Sequence, residues 1–277
     1  MNILGIDASN IRHGGGITHL SQLIKYSEKH TLNFDKVILW SGQKTLDQIE
    51  EKEWLVKKSH PFLNKNLIYR TLWQFRHLKK ALNSNSCSAL FVLGGSLYTD
   101  FKTVVNFHQN LLPFDSREIL RFGLSFKLFR FYFLRIIQSS SFRRSNAIIF
   151  LSNFSKNVVE KKLGKFSSSK IIKHGIEERF FEVPRYQYPI ENFSEENPYK
   201  IIYVSSIDEY KHQWNVVEAI SFLRSQGFPV TLELYGVANK KPLKKLNKSI
   251  KKHDPNKKFI FYKDEADFSQ VHNIYKN

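Results

Sequence analysis

Short runs of β-branched and aromatic residues alternate with longer segments of helical period almost from the first residue of this chain. The strand candidates are residues 2–7, 36–40, 88–93, 103–108, 147–151 and 170–173, and helical spacing runs near 17–30, 67–82, 117–140 and 153–163. A strand that feeds a helix meets its next neighbour in parallel, and such sheets carry helices on both faces. The pattern breaks from 183 to 198, where Pro184, Pro189 and Pro198 stand among acidic and polar residues. It resumes as strand 199–205, helix 213–225, strand 229–235, helix 242–252 and strand 258–262. The reading is α/β with two Rossmann-like domains, 1–182 and 199–277, joined by a linker at 183–198. Three strands make a small doubly wound domain. The second domain is therefore expected to be incomplete, continued beyond Asn277 or by a partner chain.

Composition narrows the classes. With 42% apolar and 14% aromatic residues, 277 residues can bury two cores. The net charge of +18 suits nucleic acid, anionic lipid or a phosphate-bearing ligand, and general Lys richness also contributes. No zinc-finger, basic-zipper or RNP pattern accompanies it, so nucleic acid is the weaker partner. In the Lys-rich run 240–252, Leu243, Leu246 and Ile250 recur at helical spacing, which makes the lysines a wet helix face. Cys87 is the only cysteine, so neither an intramolecular disulfide nor a cysteine zinc site can form. The opening residues read as a buried strand, and no run reaches the ~20 apolar residues of a membrane span. The expected location is cytoplasmic, with any membrane contact peripheral.

Four places could carry chemistry. The loop after the first strand ends in Gly14-Gly15-Gly16 before a helix, and it is either a flexible turn or a loop whose backbone approaches an anion. His19 stands where a third dinucleotide-motif glycine would be, so that fingerprint is not supported. His108 ends the strand 103–108, where open α/β sheets bind ligands, and can be structural or a donor to a sugar hydroxyl. In 117–144, Phe122, Phe126, Phe129, Phe133 and Ile137 form one stripe for the sheet. The opposite face mixes Leu120, Leu124, Leu128, Phe131 and Leu134 with Arg121, Lys127 and Arg135, which suits an anionic membrane surface or a doubly buried helix with snorkelling cations. Lys211, between a strand and a helix, is either a solvated lysine or a neutraliser of a diphosphate.

The order of these features resembles glycosyltransferase family 4, retaining enzymes of GT-B fold that build bacterial surface polysaccharides and glycolipids. Gly14-Gly15-Gly16 is similar to its glycine loop, and Val105-Asn106-Phe107-His108 to the strand ending in its active-site histidine. Residues 148–155 resemble its strand-and-serine signature, and residues 170–176 its crossover strand, with His174 where the family has asparagine. Residues 203–219 are similar to its diphosphate clamp and following helix, and residues 231–236 to the strand and Gly236 that line the donor cleft.

The resemblance implies transfer, with retention, from a UDP- or GDP-sugar to a lipid-linked or polysaccharide acceptor at the inner face of the membrane. No metal or other cofactor is implied. Lys211 would neutralise the leaving diphosphate, His108 would contact the transferred sugar, and the glycines would offer backbone donors at an interdomain cleft. Two departures stand out. Ser206 replaces the arginine that normally partners the lysine, and no two glutamates lie eight positions apart in this sequence. The expectation is a 277-residue chain without turnover. A non-catalytic sugar-nucleotide binder or scaffold is the alternative, and a nucleic-acid-binding protein the weaker one.

Overall fold

The computed structural model describes residues 2–264 and 270–276. The chain divides into two compact units, Met1–His174 and Gly175–Asn277. The first contains β1 Ile3–Asp7, α1 Gly15–Tyr26, β2 Lys36–Trp40, α2 Gln43–Leu46, β3 Leu55–Lys58, α3 Leu67–Trp73, α4 Lys79–Ser84, β4 Ala89–Val92, β5 Val104–His108, α5 Ser116–Leu120, α6 Phe126–Arg144, β6 Ala147–Phe150, α7 Asn153–Leu163 and β7 Ser169–Ile171. A π turn, Gln74–Leu78, joins α3 to α4.

All seven strands pair in parallel, in the order β3-β2-β1-β4-β5-β6-β7. Strand order therefore reverses beside β1, which pairs β2 on one side and β4 on the other. The carboxyl ends of strands at such a reversal leave the crevice in which open α/β sheets bind ligands. Two cores cover the central strands. Ile6, Leu20, Ile24, Leu39, Leu93 and Phe107 pack on one face, and Ile38, Trp40, Trp73, Leu82, Leu90 and Val92 on the other. Burial on both faces explains why the central strands read as unbroken apolar runs.

β3 was not expected. Its Lys57 and Lys58 hide it from an apolar-run reading, yet it adds as the edge strand beside β2. Lys57 Nζ donates to the carbonyls of Leu46 (3.2 Å) and Ile49 (2.7 Å), which lets a charged residue sit at the sheet edge. The single helix expected over 117–140 is two. Gly123 takes a left-handed φ of +60°, and Ser125 caps α6 by accepting from Leu128 N at 3.4 Å.

The faces of α6 are also the reverse of the expected ones. Phe131, Gln138, Ser141 and Phe142 point inward, while Phe126, Phe129 and Phe133 of the supposed sheet-facing stripe are exposed. Both faces carry large apolar residues, and the cations mixed into one of them made periodicity favour the wrong face. Ser141 decides the orientation: its hydroxyl accepts from Leu97 N at 2.8 Å.

The second unit has β8 Tyr199–Val204, α8 Gln213–Ser225, β9 Val230–Tyr235, α9 Lys240–His253, β10 Ile260–Lys263 and α10 Val271–Lys276. Its three described strands are parallel, in the order β10-β9-β8. Val217, Ile220, Leu232, Leu234, Leu246 and Ile250 form the core. Residues 183–198, expected as a linker, belong to this unit, and the division falls ahead of them at His174. Ile190 packs on the second core, Arg185 donates to the Tyr275 carbonyl at 3.4 Å, and Glu182 pairs with Lys276 at 2.8 Å.

Candidate ligand-binding site

In the first unit the loop from Ala8 to Gly16 has an anchored base and an open rim. Asp7, buried at the end of β1, accepts from Ser9 N at 3.0 Å and from Gln74 Nε2 at 2.5 Å. Burial pushes its carboxyl pKa above the usual range, against the opposing effect of these hydrogen bonds. Ser41 Oγ donates to the Ala8 carbonyl (3.0 Å) and Thr45 Oγ1 to that of Ile11 (2.9 Å). Beyond Ile11 the chain turns outward: His13, Gly14 and Gly15 are exposed, and α1 begins with no side-chain cap. Gly14 needs its φ of +63°, but a Cβ at Gly15 would meet nothing within 4 Å. Nothing inside the protein asks for glycine at position 15, whereas a ligand lying against uncapped helix N–H groups would.

His108 does not open onto this rim. Its ring is 2% exposed and stands 5.4–5.7 Å from the rings of Phe150, Phe142 and Phe114. Neither ring nitrogen has a hydrogen-bond partner, and burial brings the pKa down to about 4, opposed only by the nearby Asn110 backbone. The expectation that His108 contacts a transferred sugar therefore meets a neutral imidazole walled in by aromatics. Phe107, its neighbour on β5, faces the other core, as successive strand residues must.

A different histidine pair was missed. His19 of α1 stacks on Phe107 (4.9 Å) and meets His174 edge-on (4.5 Å). Burial and then the nearby His174 lower the His19 pKa to about 4, and burial lowers that of His174. Both imidazoles are neutral at pH 7. The pairing gives His174, which departs from the expected asparagine, a packing role.

Of the residues assigned to a membrane, Phe131 is buried at 9% exposure against Ile119 and Phe122 and cannot reach a surface. Arg121 is exposed and pairs with Glu118 at 3.2 Å. Lys127 lies over the Phe122 ring at 5.2 Å, and Arg135 donates to Ser116 Oγ at 3.4 Å. The exposed apolar surface is formed instead by Leu124 (95%), Phe126 (83%), Phe129 and Phe133. Along the same helix a hollow of about 500 Å³ is lined by Tyr132, Arg135, Ile136, Arg143 and Arg144, with Leu163 of α7.

A second hollow, of about 460 Å³, opens beside the glycine loop. Arg12, His13, Lys65, Arg70 and Arg130 line it. These residues come from three separate stretches, 12–13, 65–70 and 130, so no single local motif announces them.

In the second unit the turn after β8 carries Lys211. Its backbone N–H donates to Asp208 O (3.0 Å) and its carbonyl accepts from Tyr203 Oη (2.7 Å), which fixes the turn ahead of α8. Lys211 Nζ lies 5.1 Å from the Tyr210 ring centre and pairs with no carboxylate among the described residues. Ser206 is exposed, and its carbonyl accepts from Gln213 Nε2 at 2.9 Å. Gly236 has φ +140°, and a Cβ there would sit 2.3 Å from Ser205 O. Close approach of the β8 and β9 ends thus requires glycine at 236, whatever ligand passes by.

No known family profile matches the chain, and no curated protein matches it in sequence. Solved structures match its fold. HepE of Anabaena, in complex with UDP and glucose, is 14% identical with a TM-score of 0.58, over 98% of this chain and 71% of that one. The lipopolysaccharide outer core galactosyltransferase WaaB in its apo form is 12% identical with a TM-score of 0.60, over 100% and 72%. A putative UDP-N-acetylglucosamine 2-epimerase from Listeria monocytogenes is 12% identical with a TM-score of 0.52, over 98% and 71%. The chain has the two-unit α/β fold of the GT-B glycosyltransferases.

Proposed function

We propose that this chain binds a nucleotide sugar and belongs to a glycosyltransferase acting with retention in the manner of family 4. One observation carries the reading. Lys211, at the carboxyl end of β8 and fixed by its backbone, is a cation with no carboxylate partner among the described residues. A fixed cation there neutralises charge developing on a departing diphosphate without reorganising solvent. HepE, the fold neighbour described in complex with UDP and glucose, supports a UDP-sugar donor. Gly14, Gly15 and Gly16 supply backbone donors to the sugar-phosphate, and Gly236 shapes the wall near Lys211. His108, sealed as it is, takes no direct part in this reading.

The acceptor side is proposed to sit on an anionic membrane surface. The exposed face of α6, with the turn that precedes it, brings Leu124, Phe126, Phe129 and Phe133 together with Arg121 and Arg130, an apolar face rimmed by cations. Each Lys or Arg near such a surface contributes about 1 kcal/mol. A lipid-linked sugar is the acceptor that fits.

Titrating UDP and GDP against thermal stability tests the donor half. A ligand at 100-fold over its Kd adds about 2.7 kcal/mol of apparent stability. Stabilisation by one nucleotide, weakened about tenfold in affinity by Lys211→Gln, is expected. No response to either nucleotide overturns the reading. The epimerase of the same fold and the sealed His108 favour a second reading, nucleotide-sugar binding without transfer. Label reaching the lipid phase when the chain is incubated with a radiolabelled UDP-sugar and membrane lipids excludes the second reading, and with it the expectation that this chain is without turnover.

A further inference from the structure

The hollow beside the glycine loop holds cations that the donor reading leaves unused. It lies where the order of strands reverses, and its roughly 460 Å³ is the size of a small-ligand pocket. Arg12 and His13 come from the β1–α1 loop, Lys65 from the turn before α3, Arg70 from α3 and Arg130 from α6. No carboxylate lines it.

The guanidinium groups are built in rather than trailing in solvent. Arg12 Nη1 donates to the carbonyls of Leu63 (3.1 Å) and Lys65 (3.2 Å). Arg70 Nη1 reaches the Ser9 carbonyl at 3.5 Å, while its Nε is buried with no partner. Carbonyl oxygens orient these groups but do not neutralise them. Burial and then the facing Arg12 charge lower the Arg70 pKa, as expected of like charges held together without a counter-ion. A buried donor without a partner and converging positive charge are both relieved by one kind of ligand. A phosphoryl group offers several anionic oxygens, in the geometry that guanidinium forks match.

We infer that this hollow binds a phosphoryl group carried by the acceptor, either a soluble phosphosugar or a lipid diphosphate. The word acceptor rests on the glycosyltransferase reading; anion binding does not. Arg130 stands on α6 among the exposed phenylalanines Phe126, Phe129 and Phe133, so an apolar tail attached to the phosphate would meet that face.

The test uses the full chain and three probes: pyrophosphate, glucose 6-phosphate and farnesyl diphosphate, followed by calorimetry with and without saturating UDP. Wild type is expected to bind pyrophosphate, and Arg70→Gln to weaken it at least about tenfold, the loss of one charge-assisted contact. Lys65→Gln and Arg130→Gln alter exposed residues and should each weaken it without changing the melting temperature. Lys211→Gln should leave it intact, and UDP should not compete. Tighter binding of farnesyl diphosphate than of glucose 6-phosphate identifies the lipid source, and the reverse the soluble one. The inference falls if none of the three pocket variants affects pyrophosphate binding. It falls equally if UDP displaces pyrophosphate and Lys211→Gln abolishes both, since the pocket would then belong to the donor. UDP binding that survives while pyrophosphate fails leaves the donor reading standing alone.

Discussion

Replacing His108 with leucine should make the first unit less sensitive to acid, although it removes a side chain from a packed core. The imidazole is 2% exposed, unbonded at both nitrogens and lowered from its ordinary 6.5 to about 4. In the unfolded chain the same ring takes a proton near 6.5, so below that pH the unfolded state binds more protons than the folded one. Stability is therefore full above pH 6.5 and declines as pH falls towards 4, by linkage. Between pH 7.5 and pH 5 this one group costs about 2 kcal/mol, and about 3 kcal/mol once pH is below 4.

Asp7, whose carboxyl pKa is raised by burial, acts in the opposite sense, but it is present in both proteins and cancels in the comparison. The cost of fitting leucine among Phe114, Phe142 and Phe150 is the same at both pH values and cancels too. Urea unfolding followed by tryptophan fluorescence suits the measurement, because Trp40, Trp54 and Trp73 lie in the first unit and only Trp214 in the second. The expected result is a pH 7.5-to-5 loss about 2 kcal/mol smaller in His108→Leu than in wild type. Equal losses would show that the ring is not buried neutral, and the sealed-histidine account would be wrong.

Other substitutions separate packing from ligand contact. Gly236→Ala places a Cβ 2.3 Å from the Ser205 carbonyl, and should destabilise the second unit by about 2–4 kcal/mol, read from Trp214 fluorescence. Gly15→Ala adds a methyl into open space in the first turn of α1, so it should leave thermal stability unchanged or raised by up to about 1 kcal/mol while weakening nucleotide-sugar binding in calorimetry. Phe131→Ala should cost about 3 kcal/mol by urea melts, whereas Phe126→Ser with Phe129→Ser should leave stability alone and abolish sedimentation with anionic vesicles.

How far the sequence reaches depends on whether a feature is local. The central strands were readable because parallel strands covered on both faces are mostly apolar, and Ile3–Asp7 and Val104–His108 carry Ile3, Leu4, Ile6, Val104, Val105 and Phe107 before their polar ends. Leu55–Lys58 was not, since an edge strand tolerates lysines whose ammonium groups find carbonyls. The serine cap of α7 was legible from Ser152 and Ser155, which bond at 3.1 Å across three residues. For α6, 100° periodicity offered two stripes, and the buried one contains Ser141, a polar residue that hydropathy counts against burial and that accepts from Leu97 N.

His108 shows a subtler limit. Its position at a strand end was right, but the face it points to is set by parity along β5, and parity counts only once the flanking helices are in place. Phe107 faces the core of Ile6 and Leu20, and His108 the aromatic cluster of Phe114, Phe142 and Phe150. A shift of one residue would have exchanged them.

Charge is the feature that sequence alone handled least well, and the reason is arithmetical. With 43 Lys and Arg against 25 Asp and Glu, a surplus of 18 cations must go without acidic partners somewhere. The count cannot say whether that surplus is spread as a wet face or gathered around a ligand. The structure contains both. The lysines of α9 stand outside a buried row of Pro242, Leu246 and Ile250, an ordinary amphipathic helix. Arg12, Lys65, Arg70 and Arg130, drawn from three separate stretches, instead line one hollow with no carboxylate among them. The lysines of α9 are solvated, whereas Arg70 keeps a buried Nε without a partner beside the charge of Arg12, a cost that a bound anion would relieve. That difference, between charge that water satisfies and charge that it does not, is the ground for proposing a ligand at the pocket, and net charge by itself offers no such ground.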